Sequence, residues 1–226
     1  MTANIKYVVN VPHVQEVSLY GSADWDFWRE QLKPEGLTPR DNEGRAELLL
    51  IAARMKWMGV WFSELSISIA LRADAPARAF LLYAFNSIPW FAWAERTFFQ
   101  TPYHPGQTRL ETRAPARMEL AIGETLGLSA AMGEARPPLR SRDETWEGGI
   151  LLPRALSRTA RAEKFFHARL SGATEVHPFT STDTLTLTPA PGAPIIQQLK
   201  DSHFTGHEWH LRASATHGKS ETMRAK

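Results

Sequence analysis

Tyr103 and His104 stand side by side between Pro102 and Pro105. Each proline disfavours helix in the residue before it, so both side chains project from a non-helical backbone at fixed angles. A histidine holds either protonation state near neutrality, and a phenol can donate a hydrogen bond to a carbonyl or enolate oxygen. The pair is therefore a candidate acid, base and oxyanion partner, with ordinary loop packing as the plainer alternative. Glu64 opens a strand directly after Trp61, Phe62 and Ser63. Turned inward, its carboxylate would sit among aromatics and be harder to ionise, which suits proton transfer; turned outward, it is a strand-end charge. Arg96 precedes the Pro-rich loop on a helix and could hold a substrate carboxylate in its fork of donors, pair with Glu95, or cap the helix.

Lys56 is a rival nucleophile. It lies in Met55-Lys56-Trp57-Met58, near Trp61, and such an apolar setting could depress an amine pKa. The alternative is that its stem covers aromatics while the ammonium stays in water. His203, His207 and His210 invite a metal reading, but only Trp209 separates Glu208 from His210, so the helical HExxH pattern is missing. On a strand, His203 and His207 would share one face and His210 would take the other. No metal site is expected. No phosphate cradle, nucleophile elbow or dinucleotide fingerprint occurs either, so no organic cofactor is expected.

These side chains need elements to position them. Residues 6–11 and 14–20 read as Val-rich strands broken at Pro12. Ser22 is a candidate N-cap for a helix that ends near Leu32, with Pro34 and Gly36 as its stop and Trp25, Trp28 and Leu32 on one face. Residues 46–53 and 65–71 are strand-like, the second alternating Leu65, Ile67, Ile69 and Leu71 with serines. Residues 78–85 form another strand, and Pro89 opens a helix that runs to about Phe99. An irregular loop then spans 101–106. Beyond it come short strands at 150–152, 165–170, 184–187 and 203–213, with loops at 135–139 and 189–194.

With 226 residues, 43% apolar and 22% charged, the chain fits one globular domain with a sizeable core. Twenty-six Lys and Arg against 24 Asp and Glu give a net charge of +2, a balance that implies no nucleic acid partner. The absence of cysteine excludes disulfides, thiol nucleophiles and thiolate metal sites. Residues 1–11 carry one lysine and no small-residue cleavage site, so a cytoplasmic protein is expected. The most apolar window, residues 79–93, is too short and interrupted to span a membrane.

Several stretches, in order, resemble the acetoacetate decarboxylase superfamily. Tyr20 to Leu37 is similar to its strand, short acidic helix and Pro-containing turn. Phe62-Ser63-Glu64 and the strand after it are similar to its aromatic-x-Glu step, whose glutamate points into the pocket. Arg96 to His104 has, without a gap, the spacing of its Arg-Glu-x-x-x-x-Pro-Lys-Lys segment, and Asp201-Ser202-His203 resembles its entry into the last strand. Tyr103 and His104 then fall on the two family lysines. The first of these forms an imine with a ketone, activated by the second. Tyrosine cannot form an imine, so the resemblance implies the fold and pocket without the Schiff-base chemistry. With one gap allowed, His13 falls near a pocket arginine.

The resemblance implies an α+β, mainly β fold, an acetoacetate decarboxylase-like β-barrel or double sheet with a few short helices. It forms one domain over residues 1–226, with 218–226 as a flexible tail. Tyr103, His104 and Glu64 are expected to be catalytic, with Arg96, Trp61, Trp57, Phe62, Trp90 and His13 contacting substrate. The expected activity is cofactor-independent acid–base chemistry on an oxo acid or related carbonyl compound: enolisation, dehydration or cyclisation. The rivals are a noncatalytic binder of small molecules and a decarboxylase that has moved its lysine to position 56. The expected partner is a small-molecule carbonyl or carboxylate substrate, with no nucleic acid or membrane, in a homo-oligomer.

Overall fold

The computed structural model describes residues 5–154 and 164–224. Among the described residues there are fourteen strands: β1 (Tyr7–Asp24), β2 (Asp41–Asn42), β3 (Arg45–Trp57), β4 (Val60–Ala70), β5 (Ala79–Asn86), β6 (Tyr103–Pro105), β7 (Gln107–Glu111), β8 (Arg117–Ile122), β9 (Thr125–Ala131), β10 (Arg140–Leu152), β11 (Lys164–Pro178), β12 (Thr184–Leu187), β13 (Thr205–Ser220) and β14 (Met223–Arg224). Three short helices accompany them: α1 (Trp25–Leu32), α2 (Pro89–Ala94) and α3 (Pro194–Asp201).

The large sheet runs β1-β13-β11-β10-β5-β4-β3, and β3 pairs again with β1. These pairings close a ring of strands, which leaves its central members without an open edge. The join between β10 and β5 is the thinnest, a parallel contact at Ile150 with Ala79 and Leu151 with Phe80. The mainly β expectation and the few short helices are thus observed. A second sheet, β12-β9-β8-β7, packs on one side of the ring.

Alternation along the strands gives the ring two unlike faces. Val17, Leu19, Leu48, Leu50, Leu65, Ile67, Ile69 and Leu211 point out of the ring, where they meet Met118, Leu120 and Leu128 of the second sheet, Trp28 and Leu32 of α1, and Ile195, Ile196 and Leu199 of α3. The intervening residues of β1 and β4, among them Glu16, Ser18, Glu64 and Ser66, take the other face.

Local departures from the sequence reading have physical causes. The strands on either side of Pro12 are one strand of 18 residues, because bulges between Val11 and Glu16 carry the chain past the proline. Helix α1 is capped by Asp24, whose carboxylate accepts from the Phe27 N–H at 2.7 Å, while Ser22 stays in β1. The loop at 101–106 contains β6, held beside β5. Helix α3 starts at Pro194, inside the stretch read as Pro-rich loop. The tail expectation is also corrected: 218–220 complete β13 and 223–224 form β14, paired into the ring by β1 and β11, while residues 225–226 lie outside the described residues.

Candidate functional site

Strand β5 brings Tyr103 to Glu64. Its Asn86 pairs with Glu64 on one side and Pro105 on the other; its Ala84 pairs with Ser66 and Tyr103. Tyr103 therefore sits two strands over and two residues along from Glu64, and its hydroxyl donates to Glu64 Oε2 at 3.1 Å. Both side chains are half-buried. Burial raises the Glu64 pKa, with Glu95 adding to the rise and His217, Lys219 and the Tyr103 hydrogen bond opposing it. Burial, together with Glu64 and Glu95, pushes the Tyr103 phenol well above its usual value, so it remains a donor.

The influence of His217 and Lys219 on Glu64 locates the pair. Those residues belong to β13, whose neighbours are β1 and β11, whereas β4 lies between β3 and β5. Glu64 therefore faces them across the ring and not along a ladder. Lys219 Nζ binds Glu95 at 2.8 and 3.1 Å, and Thr101 Oγ1 donates to Glu95 Oε2 at 2.8 Å. The ammonium also lies 5.1 Å from the Phe99 and Phe166 ring centroids. Glu95 begins a π-helical turn, Glu95–Phe99, which follows α2 directly.

Beside Lys219, His217 Nε2 meets Glu16 Oε2 at 2.6 Å. Glu16 is 0% exposed and also accepts from Ser18 at 2.8 Å and from the Arg212 guanidinium. Burial alone would raise its pKa; the bond and charge of His217, with Arg212 and Ser18, outweigh burial and lower it to about 2.

The other expected site residues lie elsewhere. His104 stacks on Tyr83 at 4.7 Å and approaches Phe85, on the opposite side of β6 from Tyr103, as strand alternation demands. Burial and the nearby Arg96 lower the His104 pKa. Arg96 itself is exposed and acts on His104 and Tyr83, not on the Glu64 pair. Convergence thus holds for Tyr103 with Glu64 and not for His104 or Arg96.

Trp57, Trp61 and Trp90 are exposed on the outer surface, and Phe62 packs against Phe91 at 5.2 Å. The cause is the two-residue turn Met58-Gly59, with φ of 48° and 85°, which makes β3 and β4 a hairpin and carries Lys56, also exposed, to its tip. His13 is exposed at φ 58°, its Nδ1 3.4 Å from Ser214. His203 precedes β13, His207 Nε2 lies 2.7 Å from the Ser22 hydroxyl, and the His210 ring packs tilted against Tyr20.

Lys219, His217, Glu16, Arg212 and Glu95 were not singled out from the sequence. The available signal was His217-x-Lys219, a period-two polar pair, but its position near the end of the chain made it look like tail. A groove of about 1120 Å³ lies away from this cluster, lined by Tyr7, Arg40, Arg72, Arg78 and Arg169 among others. The cluster inside the ring is the better candidate, because it joins a carboxyl of raised pKa to a hydroxyl donor and two basic side chains.

No family model matches the chain, and no curated protein matches it. Solved structures do. The enduracididine biosynthesis enzyme MppR, complexed with the condensation product of pyruvate and imidazole 4-carboxaldehyde, matches with a TM-score of 0.63 at 13% identity, over 99% of this chain and 91% of that one. An acetoacetate decarboxylase-like enzyme from Sphingomonas wittichii RW1 gives 0.64 at 16% identity, over 98% and 94%. Acetoacetate decarboxylase from Legionella pneumophila gives 0.64 at 13% identity, over 100% and 92%. The chain has the acetoacetate decarboxylase-like fold.

Proposed function

We propose that this chain is an enzyme that moves a proton at the carbon next to a carbonyl of a small oxo acid or related compound, without an imine. The observation that carries the reading is the Tyr103 hydroxyl bonded to Glu64 Oε2 at 3.1 Å inside the strand ring. As a carboxylate, Glu64 takes the α-proton: the C–H bond breaks, its electron pair becomes the C=C bond of the enolate, and charge gathers on the carbonyl oxygen. Protonation weakens Glu64 as an acceptor, so the Tyr103 hydroxyl is released to the enolate oxygen as the charge develops. Burial supports this by keeping the Glu64 proton affinity high and the phenol protonated.

The solved structures add support of a general kind, since MppR is also seen complexed with pyruvate. The amine reading is not favoured at Lys56, which is exposed. Lys219 is inside, but as an ammonium paired with Glu95 it has no lone pair to offer. Self-association is part of the proposal and is measured by light scattering. No helix among the described residues is long and apolar enough to cross a membrane.

The experiment is incubation with pyruvate in D2O, followed by proton NMR of the methyl signal. The signal should fade faster than in buffer, and Tyr103→Phe should slow the loss by more than about tenfold. Loss at the buffer rate would contradict the reading and favour a binding protein.

A further inference from the structure

The structure assigns a second binding site, on the outer face of the strand ring, to an organic phosphate. Two guanidiniums without a carboxylate partner, Arg78 and Arg169, hold the phosphoryl group, and a wall of alanine and proline takes the rest of the ligand. The site goes beyond the proton-transfer reading and does not rest on it.

The site is the groove of about 1120 Å³ already placed away from the ring interior. Strand alternation explains its position: on β11, Phe166 turns inward to the Lys219 ammonium, 5.1 Å from its ring centroid, so His167 and Arg169 do not share that face. In register with β10, Arg169 pairs with Glu147 and His167 with Gly149. The Arg169 guanidinium lies 4.7 Å from the Tyr7 ring centroid. The facing wall is the segment 71–78 between β4 and β5. The Arg78 N–H donates to the Gly149 carbonyl at 3.2 Å, and the Arg78 carbonyl accepts from the Leu71 N–H at 3.0 Å, which ties that segment to β10. Two glycines permit the approach: a Cβ on Gly149 would lie 3.2 Å from the Ala77 Cβ, and one on Gly148 would lie 3.2 Å from the Arg78 Cδ. Arg78 is therefore held against the same strand that pairs with His167 and Arg169.

The charges in the groove do not cancel. Among the described residues lining it, Glu147 is the one acid against four arginines, and it accepts from the Tyr7 hydroxyl at 2.5 Å. Arg72 is engaged by Asp74 at 2.8 and 3.1 Å, and Arg40 lies 3.5 Å from Glu47. Arg78 and Arg169 form no ion pair among the described residues. His167 adds a ring whose Nδ1 is buried without a hydrogen-bond partner. A phosphate monoester carries about two negative charges at neutral pH and three acceptor oxygens. Two unpaired guanidinium forks match that charge and shape, whereas one carboxylate would satisfy only one of them. Beyond the phosphoryl group, Ala73, Ala75 and Pro76 supply apolar wall, and a neighbouring hollow of about 850 Å³ shares Arg40, Arg72 and Ala73 with the groove and adds Trp25. That extent suits a ligand with an organic body rather than a bare anion.

The test is titration calorimetry at constant ionic strength with three probes of similar charge: ADP, inorganic pyrophosphate and citrate. ADP should bind saturably at one site per chain, more tightly than pyrophosphate, and citrate should bind most weakly. Arg78→Gln and Arg169→Gln should each weaken ADP binding by about tenfold or more. Arg142→Gln, on β10 but outside the groove, should leave it unchanged. Absence of saturable binding, or an equal loss in Arg142→Gln, overturns the site. Citrate binding as tightly as ADP overturns the phosphoryl assignment, and pyrophosphate binding as tightly as ADP overturns the organic body. Proton NMR of the wild-type His167 ring needs no variant to fold: its signals should move in step with the ADP bound, and a His167 unmoved at saturation overturns the placement of the ligand.

Discussion

The inner face of the strand ring carries Glu16, Glu64, Tyr103, Arg212, His217 and Lys219, whereas the β3–β4 hairpin tip and α2 hold Trp57, Met58, Trp61, Trp90 and Trp93 out in solvent. Met58 is 81% exposed and Trp90 58%. Ring contacts link this outer surface from Trp57 through Phe91 and Trp90 to Trp93 and Phe98. The two regions invert the usual rule that apolar side chains go inside. The difference teaches where free energy is committed: each inner charge is tolerated because a partner meets it, whereas the outer aromatics have lost little by staying wet and would gain by being covered.

The comparison predicts an unequal response to mutation. The largest effect is expected inside, for Arg212→Ala, which strands the buried Glu16 carboxylate and should cost about 3–5 kcal/mol in denaturant unfolding. A loss under about 1 kcal/mol would show that the inner charges are not interdependent. The same network sets an acid limit. The folded Glu16 pKa, about 2, is depressed below the ordinary 4.5. Its contribution is thus fully present above about 4.5 and disappears as pH falls through about 2. Thermal unfolding across that window should show a fall in Tm that Glu16→Gln lacks.

Glu64 should respond with the opposite sign. Its folded pKa is raised, so its contribution is complete below the unfolded pKa and is lost as pH rises through the folded one. Glu64→Gln removes that loss and should raise Tm by about 2–4 °C at neutral pH, with the gain vanishing in acid. A lower Tm at neutral pH would mean that Glu64 supports the fold as Glu16 does. Outside the ring, Trp61→Ser removes a 53% exposed side chain whose one ring contact of note is Arg54 at 5.3 Å. It should change unfolding free energy by no more than about 0.5 kcal/mol; a larger loss would mean that a partner copy covers the patch.

Two members of the inner site, Glu64 and Tyr103, were legible because strand chemistry is local and the resemblance placed them. Leu65, Ile67 and Ile69 alternating with serines revealed a two-faced strand, and the unbroken spacing from Arg96 to His104 gave the position of Tyr103. What was hidden depends on longer-range geometry. Nothing near Tyr103 says that β6 follows β5 in parallel, and only that ladder turns Tyr103 toward Glu64 and His104 away. The tryptophans near Glu64 in sequence suggested a lined pocket, but Met58-Gly59 is a two-residue turn, so those residues climb a hairpin instead. Lys219 and His217 come to influence Glu64 only when the ring closes, across about 150 residues of sequence that no local pattern bridges.

The most direct test of the Glu64–Tyr103 site is the pH dependence of α-deuterium exchange into pyruvate, measured on wild type and Glu64→Gln. The account predicts that the wild-type rate rises with pH through an apparent pKa above that of an ordinary glutamate and then levels, because Glu64 works as the carboxylate. Glu64→Gln should be slower by about 10²-fold or more and should lack that rise. Equal rates and equal profiles in the two proteins would contradict the account.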